Sequence, residues 1–209
     1  MSSRIICVSH LTGAEGESVA RQVAERLGFR YLDDEIIETA AEWVDLHPSV
    51  VGDVERRKSL MARIRESMSG QSSPRLPQPA GGEAVRDMPS AEDLRGLIRD
   101  AIHDAAEEGE IVIASHAASM MLADRPEAFR VLVTASPETR VERIASARKV
   151  DQREAEKVVA DEDAGRADYL KRFYGVELEL PTHYDVVVNT DKLPADRGAE
   201  LIVLAAGSA

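Results

Sequence analysis

One cysteine, Cys7, is all that the 209 residues carry, and aromatic residues make up only 4% of them. A single thiol excludes an internal disulfide. Cys7 lies inside an apolar run with no cationic neighbour to lower its pKa, so it reads as a buried structural thiol and not a nucleophile. The shortage of aromatics means a core built from Val, Ile, Leu and Ala. No stretch approaches the roughly 18 consecutive apolar residues of a transmembrane helix. No signal-peptide layout opens the chain, and the expected compartment is cytoplasmic. Basic residues are outnumbered, 26 against 38 acidic, for a formal net charge of −12. That balance argues against nucleic-acid or anionic-membrane partners, which need clustered Lys and Arg. The 44% hydrophobic content is enough for one domain with a substantial core.

A further absence concerns a motif. Ile5-Ile6-Cys7-Val8 reads as a strand buried on both faces, and a glycine-containing turn follows. Val19, Val23 and Leu27 then recur at helical spacing until Gly28. Strand, glycine turn and helix near an N-terminus form the geometry that aims backbone N–H groups at a phosphate. The phosphate-loop signature is G-x-x-x-x-G-K-S/T. Aligned on Gly16 and Ser18, this chain has Leu11 for the first glycine and Glu17 for the lysine. Read as a phosphate loop, it is a degenerate Walker A motif. A carboxylate about 4 Å from a phosphate charge is repelled by roughly 4 kcal/mol at an effective dielectric near 20. Glu15 adds a second negative charge, and the first cation is Arg21, one turn into the helix. Two readings stay open: a phosphate site, or a plain sheet-to-helix turn with Glu15 and Glu17 favourably placed on the helix dipole.

Along the chain, Phe29-Arg30-Tyr31-Leu32 reads as a second strand ending at Asp33-Asp34. Glu35 through Val44 has one apolar face and predicts a helix, with Trp43 on or near that face as a core residue. A charged helix is expected from Asp53 to Met68. Residues 69–89 hold Pro74, Pro77, Pro79 and Pro89 with Gly70, Gly81 and Gly82, and predict a flexible loop. Ser90-x-x-Asp93 is a capping signature for a helix carrying Leu94, Leu97, Ile98, Ala101, Ile102 and Ala105 on one stripe, with Gly109 as its stop. Ile111–Ala114 predicts a buried strand with Ser115-His116 at its carboxyl end, the edge where open parallel sheets bind ligands. Val131–Ala135 predicts another strand, and Pro137 starts a helix. From Arg140 to Arg172 the acidic chain turns basic, and the plain reading is two solvated helices laced by i,i+4 ion pairs with Glu138, Glu142, Glu156, Asp161 and Asp163. Val186–Asn189 gives a fifth strand and Pro194–Leu204 a closing helix. Strands alternating with helices predict a three-layer α/β/α fold on a five-stranded parallel sheet.

These segments, in this order, resemble the cytidylate kinase-like branch of the phosphate-loop nucleoside monophosphate kinases. The resemblance spans nearly the whole chain apart from residues 69–89. It is carried by Val8 to Ala20 as strand and phosphate loop, Tyr31-Leu32-Asp33-Asp34-Glu35 as second strand and acidic turn, and Ile111 to Leu122 as third strand and helix. Pro137, Arg140 and Arg143 resemble the entry to a helical lid, Asp163-x-x-Arg166-x-x-Tyr169 its return, and Tyr184 to Thr190 the last strand. The resemblance implies a single kinase-like domain over 1–209 with a lid-like helical region at 140–175. It also implies transfer of the ATP γ-phosphoryl group to a nucleoside monophosphate with Mg²⁺. The loop Gly13, Ala14, Glu15, Gly16, Glu17 and Ser18 would then cradle phosphates, with the Ser18 hydroxyl toward Mg²⁺. Arg143, Arg166 and Asp163 would be catalytic, and Asp33, His116, Arg148 and Arg153 would lie toward substrate. The departures are Glu17 and His10, where the family commonly has basic residues, Ser115-His116 in place of its Gly-Arg pair, and Ser119 in place of an acidic residue. Imidazole is a weak stand-in for an always-charged guanidinium. Beside the kinase reading there stands a non-catalytic one, a nucleotide-binding or assembly module on the same fold. The expected partner is a small-molecule nucleotide, and homo-oligomerisation is left open.

Overall fold

The computed structural model describes residues 4–33, 91–115 and 117–208. The expected helices over 35–44 and 53–68, Trp43, the loop 69–89, the cap Ser90 and His116 lie outside the described residues. Two compact units divide the chain, one of Met1–Asp33 with Gly109–Ala209 and one of Asp34–Glu108. In the second unit the described element is helix α2, Ala91–Glu108, on which Ile102, Ala105 and Ala106 are buried.

The first unit is built on five strands: β1 Ile5–His10, β2 Arg30–Asp33, β3 Ile111–Ala114, β4 Ala128–Thr134 and β5 Val186–Asn189. Their spatial order is β2-β3-β1-β4-β5, with every pairing parallel. Central β1 is buried at all six positions, which explains the apolar run Ile5-Ile6-Cys7-Val8 that opens it. Ile6, Val8, Val112, Phe129, Val131, Val133 and Val188 face helices α1 (Gly16–Leu27) and α6 (Ala195–Ser208) and pack there against Val19, Val23, Ala199 and Ile202. On the opposite face the short helix α3, Ala118–Met121, brings Ser119 to Ser9 Oγ at 3.0 Å. Burial pushes the Cys7 thiol up to about 12, so it stays protonated and inert at neutral pH.

Two helices, α4 (Pro137–Arg148) and α5 (Gln152–Tyr174), follow β4. Each starts on a side-chain cap: Ser136 accepts from the Thr139 amide and Asp151 from the Glu154 amide. Their charges correct the plain reading of solvated helices. Arg140 and Arg166 are 4% and 7% exposed, and Arg140 and Arg148 pair with acidic residues of the neighbouring helix. The correction has a physical cause: the two helices lie side by side, so cross-helix partners outcompete those one turn away. Strand β2 runs to Asp33, which makes that carboxylate a buried strand-end group. Among the described residues no helix is long and apolar enough to cross a membrane.

Candidate functional site

β1 lies between β3 and β4, and the two neighbours leave it in opposite directions across the sheet. In open parallel sheets ligands bind outside the carboxyl end of such a strand. Here that end carries the loop 11–15. The Leu11 amide donates to the Val133 carbonyl at 3.1 Å, and the Ala14 amide closes a turn onto the Leu11 carbonyl at 3.0 Å. Gly13, at φ 78°, is in the region glycine occupies without strain, and a Cβ there would meet the Arg140 carbonyl at 2.7 Å. Gly16 is required by close approach, because a Cβ would meet His10 Cβ at 2.1 Å. Glu15 sits between them at φ 61°, a left-handed conformation that costs a side-chain-bearing residue about 1 kcal/mol.

The loop carbonyls are held from behind. Arg140 Nη1 donates to the Thr12 carbonyl at 3.4 Å, Arg143 Nη1 to that of Gly13 at 3.2 Å, and the Thr190 hydroxyl to that of Ala14 at 3.0 Å. Arg143 is fixed in turn by the Thr190 hydroxyl at 2.9 Å and the Thr190 carbonyl at 2.7 Å. Helix α1 begins at Gly16 with no side-chain cap. The amides of Gly16, Glu17 and Ser18 therefore have no intrahelical acceptor, at the positive end of the helix dipole.

These residues border a cavity of about 600 Å³ lined by His10, Leu11, Thr12, Gly13 and Glu15 to Ser18, with Arg143, Arg148 and Glu162 across from them. Its charges are mixed. Glu15 lies 3.6 Å from Arg143 Nε, and Arg148 Nη2 donates to Glu162 at 2.9 Å. An anion here would meet three uncapped amides and two guanidinium groups, opposed by three carboxylates.

The residues singled out from sequence fall into three groups. Gly13, Glu15, Gly16, Glu17, Ser18, Arg143 and Arg148 line the cavity. Ala14 is buried behind the loop, contributing its carbonyl to Thr190. Four others do not line it. Arg153 is exposed. Asp163 receives the Arg140 fork at 2.8 and 2.5 Å. Arg166 is buried against Glu179, at 2.9 and 2.5 Å, and against the Tyr184 hydroxyl at 3.3 Å. Burial alone pushes the Glu179 carboxyl up, but the Arg166 hydrogen bonds and charge outweigh it and hold it below the usual range. The same carboxylate accepts from the Tyr184 hydroxyl, whose own pKa is raised by burial and by that bond. Asp33, at the carboxyl end of β2, accepts from Arg21 Nη2 at 2.9 Å, and the Arg21 guanidinium lies over the Tyr31 ring. Sequence reasoning missed Thr12, Thr190 and Glu162 as members of the site, and it left Arg140 without a role. Arg140 had a signal in its i,i+3 spacing from Arg143, and Thr190 in its place at the end of the last strand; Thr12 and Glu162 had none.

Comparison with known proteins agrees with this architecture. The model of the cytidylate kinase-like family matches residues 5–192. A cytidylate kinase from Sulfurisphaera tokodaii is 28% identical over 104 residues, 50% of this chain and 57% of that protein. This chain thus spans little more than half the length of that relative. The crystal structure of an uncharacterized protein from Eubacterium ventriosum superposes with a TM-score of 0.63 at 16% identity, covering 98% of this chain and 99% of that one. The latter likeness is one of fold. With a family match over most of its length, the chain belongs to the cytidylate kinase-like family.

Proposed function

We propose that the chain is a phosphotransferase that seats the phosphates of a nucleoside triphosphate on residues 13–18 and passes the terminal phosphoryl group to a nucleoside monophosphate or similar small acceptor. One observation carries the reading: the uncapped amides of Gly16, Glu17 and Ser18 and the guanidinium groups of Arg143 and Arg148 border a single cavity. Phosphoryl transfer asks mainly for positioning and neutralisation of charge, and little covalent chemistry from the protein. Held carbonyls and free amides supply the positioning. The two arginines supply positive charge from the α4 side, in the absence of a lysine at position 17. Asp33 ends the strand two places from β1 and is the group assigned to the acceptor side.

The donor set suits a hard cation. Ser18 offers a hydroxyl oxygen and Glu17 a carboxylate beside it, and Mg²⁺ prefers one or two such oxygens with water and phosphate completing its shell. Among the described residues no cluster of three or more His, Cys, Asp or Glu could hold a metal by itself. A metal would therefore arrive with the nucleotide. Ser18 and Glu17 would hold such a cation, which would supply charge neutralisation at the phosphates.

The test is thermal shift with Mg²⁺-ATP, ADP and CMP, followed by a turnover assay over several monophosphates. Ligand at about 100 times its Kd stabilises by about 2.7 kcal/mol, roughly 5–10 °C in a chain of this length. No shift with any nucleotide refutes the proposal. Binding without turnover of any acceptor would leave the non-catalytic module in its place.

A further inference from the structure

Thr12 is joined to the helical pair twice. Its hydroxyl donates to Glu162 Oε2 at 2.5 Å, and its carbonyl accepts from Arg140, which is forked onto Asp163. The second oxygen of Glu162 accepts from Arg148 Nη2 at 2.9 Å. Thr12, Arg148 and Glu162 all line the cavity that the loop amides border. One carboxylate on the cavity wall thus takes a hydroxyl and a guanidinium, the donor types that bind phosphoryl oxygens elsewhere.

The two ion pairs differ in permanence. Arg140 keeps 5% of its side chain exposed, so separating it from Asp163 would strand a buried charge. Arg148 and Glu162 are 48% and 39% exposed, a regime in which the pair gains little and either partner can turn to water. The first pair fixes the loop carbonyl. The second is exchangeable.

We infer that Glu162 is an internal anion that competes with the ligand's phosphate groups for Arg148 and Thr12. The inference rests on the reading of residues 13–18 as a phosphate site. Phosphate entering the cavity takes over the Arg148 guanidinium and the Thr12 hydroxyl, and the released carboxylate turns toward solvent. A single phosphate gains too few contacts to displace it. A polyphosphate that also meets the amides of Gly16, Glu17 and Ser18 gains enough, so Glu162 selects for extended polyanions over orthophosphate.

Calorimetric titration of wild type, Glu162→Gln, Arg148→Gln and the double variant with inorganic tripolyphosphate and with Mg²⁺-ATP tests this. Ligand-free melts verify that each variant folds, and Glu162→Ala replaces the amide variant if it does not. Glu162→Gln is expected to bind tripolyphosphate about tenfold tighter, the effect of deleting one nearby like charge. It should also narrow the preference for tripolyphosphate over orthophosphate, and the gain should shrink when Arg148 is also replaced. Equal or weaker binding by Glu162→Gln overturns the inference, and ATP turnover in that case leaves the kinase reading standing. Tighter tripolyphosphate binding with no turnover supports the inference and removes the kinase reading. Absence of any binding removes both.

Discussion

Glu17→Lys puts a cation on the rim of the cavity in place of a carboxylate, and two effects of opposite sign follow from where Glu17 sits. It is the second residue of α1 and exposed on the cavity rim. In the free protein its carboxylate lies at the positive end of the helix dipole, where an acid is favourable and a base unfavourable by about 0.3–1 kcal/mol each. The substitution incurs both, roughly 0.6–2 kcal/mol, and should lower Tm by about 2–6 °C. Toward a bound phosphate the sign reverses. Two unit charges about 4 Å apart interact by about 1 kcal/mol in water and about 4 kcal/mol at an effective dielectric near 20. Exposure of the side chain favours the lower figure. Exchanging repulsion for attraction counts it twice, giving about 2 kcal/mol, or roughly thirtyfold in Kd. The assay is a ligand-free melt paired with calorimetric Mg²⁺-ATP titration at low salt and at about 0.5 M salt, where screening should erase most of the gain. A variant that melts lower and binds ATP tighter fits the electrostatic argument. One that binds ATP equally or more weakly at low salt refutes it, and assigns Glu17 a contact that the lysine does not replace.

Other outcomes follow from the same contacts. Asp163→Asn removes the charge that Arg140 needs in its 5%-exposed setting; because Asp163 itself is half-buried, the expected cost is about 2 kcal/mol, below the full buried-pair value, and a urea midpoint unchanged from wild type would contradict it. Glu15→Gly relieves the φ of 61° and gives up only a long, partly exposed contact of 3.6 Å with Arg143. Stability should rise by up to about 1 kcal/mol, and a loss of that size would mean the Glu15 side chain holds the loop. The Glu179 carboxyl is depressed in the fold, so its contribution is present above the ordinary value near 4.5 and is lost as pH falls through the lower folded value. Denaturant midpoints between about pH 3 and 7 should therefore decline on the acid side in wild type and flatten there in Glu179→Gln.

The central strands were legible because they are buried on both faces and so appear as apolar runs such as Ile111–Ala114; the edge strand Val186–Asn189 carries a similar run although Val187 is exposed. The loop was legible as strand, glycine turn and helix. What holds the loop was not. Its three carbonyls are satisfied by residues 128, 130 and 176 positions away, separations at which local pattern carries no information. Arg140 and Arg166 likewise share their helices with arginines that remain exposed; the packing of α4 on α5 sets Arg140 apart, and Glu179 with Tyr184 sets Arg166 apart. Thr190 is the sharpest case: the sequence placed it at the end of the last strand by resemblance but gave its hydroxyl no partner. It is 1% exposed, donates to the Ala14 carbonyl and accepts from Arg143. Thr190→Val keeps the shape and deletes the hydroxyl, leaving a buried carbonyl and one guanidinium N–H short of a partner. The expected cost is about 1–3 kcal/mol, roughly 3–9 °C in Tm. Thr190→Ser retains the hydroxyl and loses only a methyl group, about 1 kcal/mol. If the valine variant melts at or above the serine variant, the methyl packs and the hydroxyl is idle. If valine is the weaker and also loses nucleotide binding that serine keeps, the loop is held open from behind by that one oxygen.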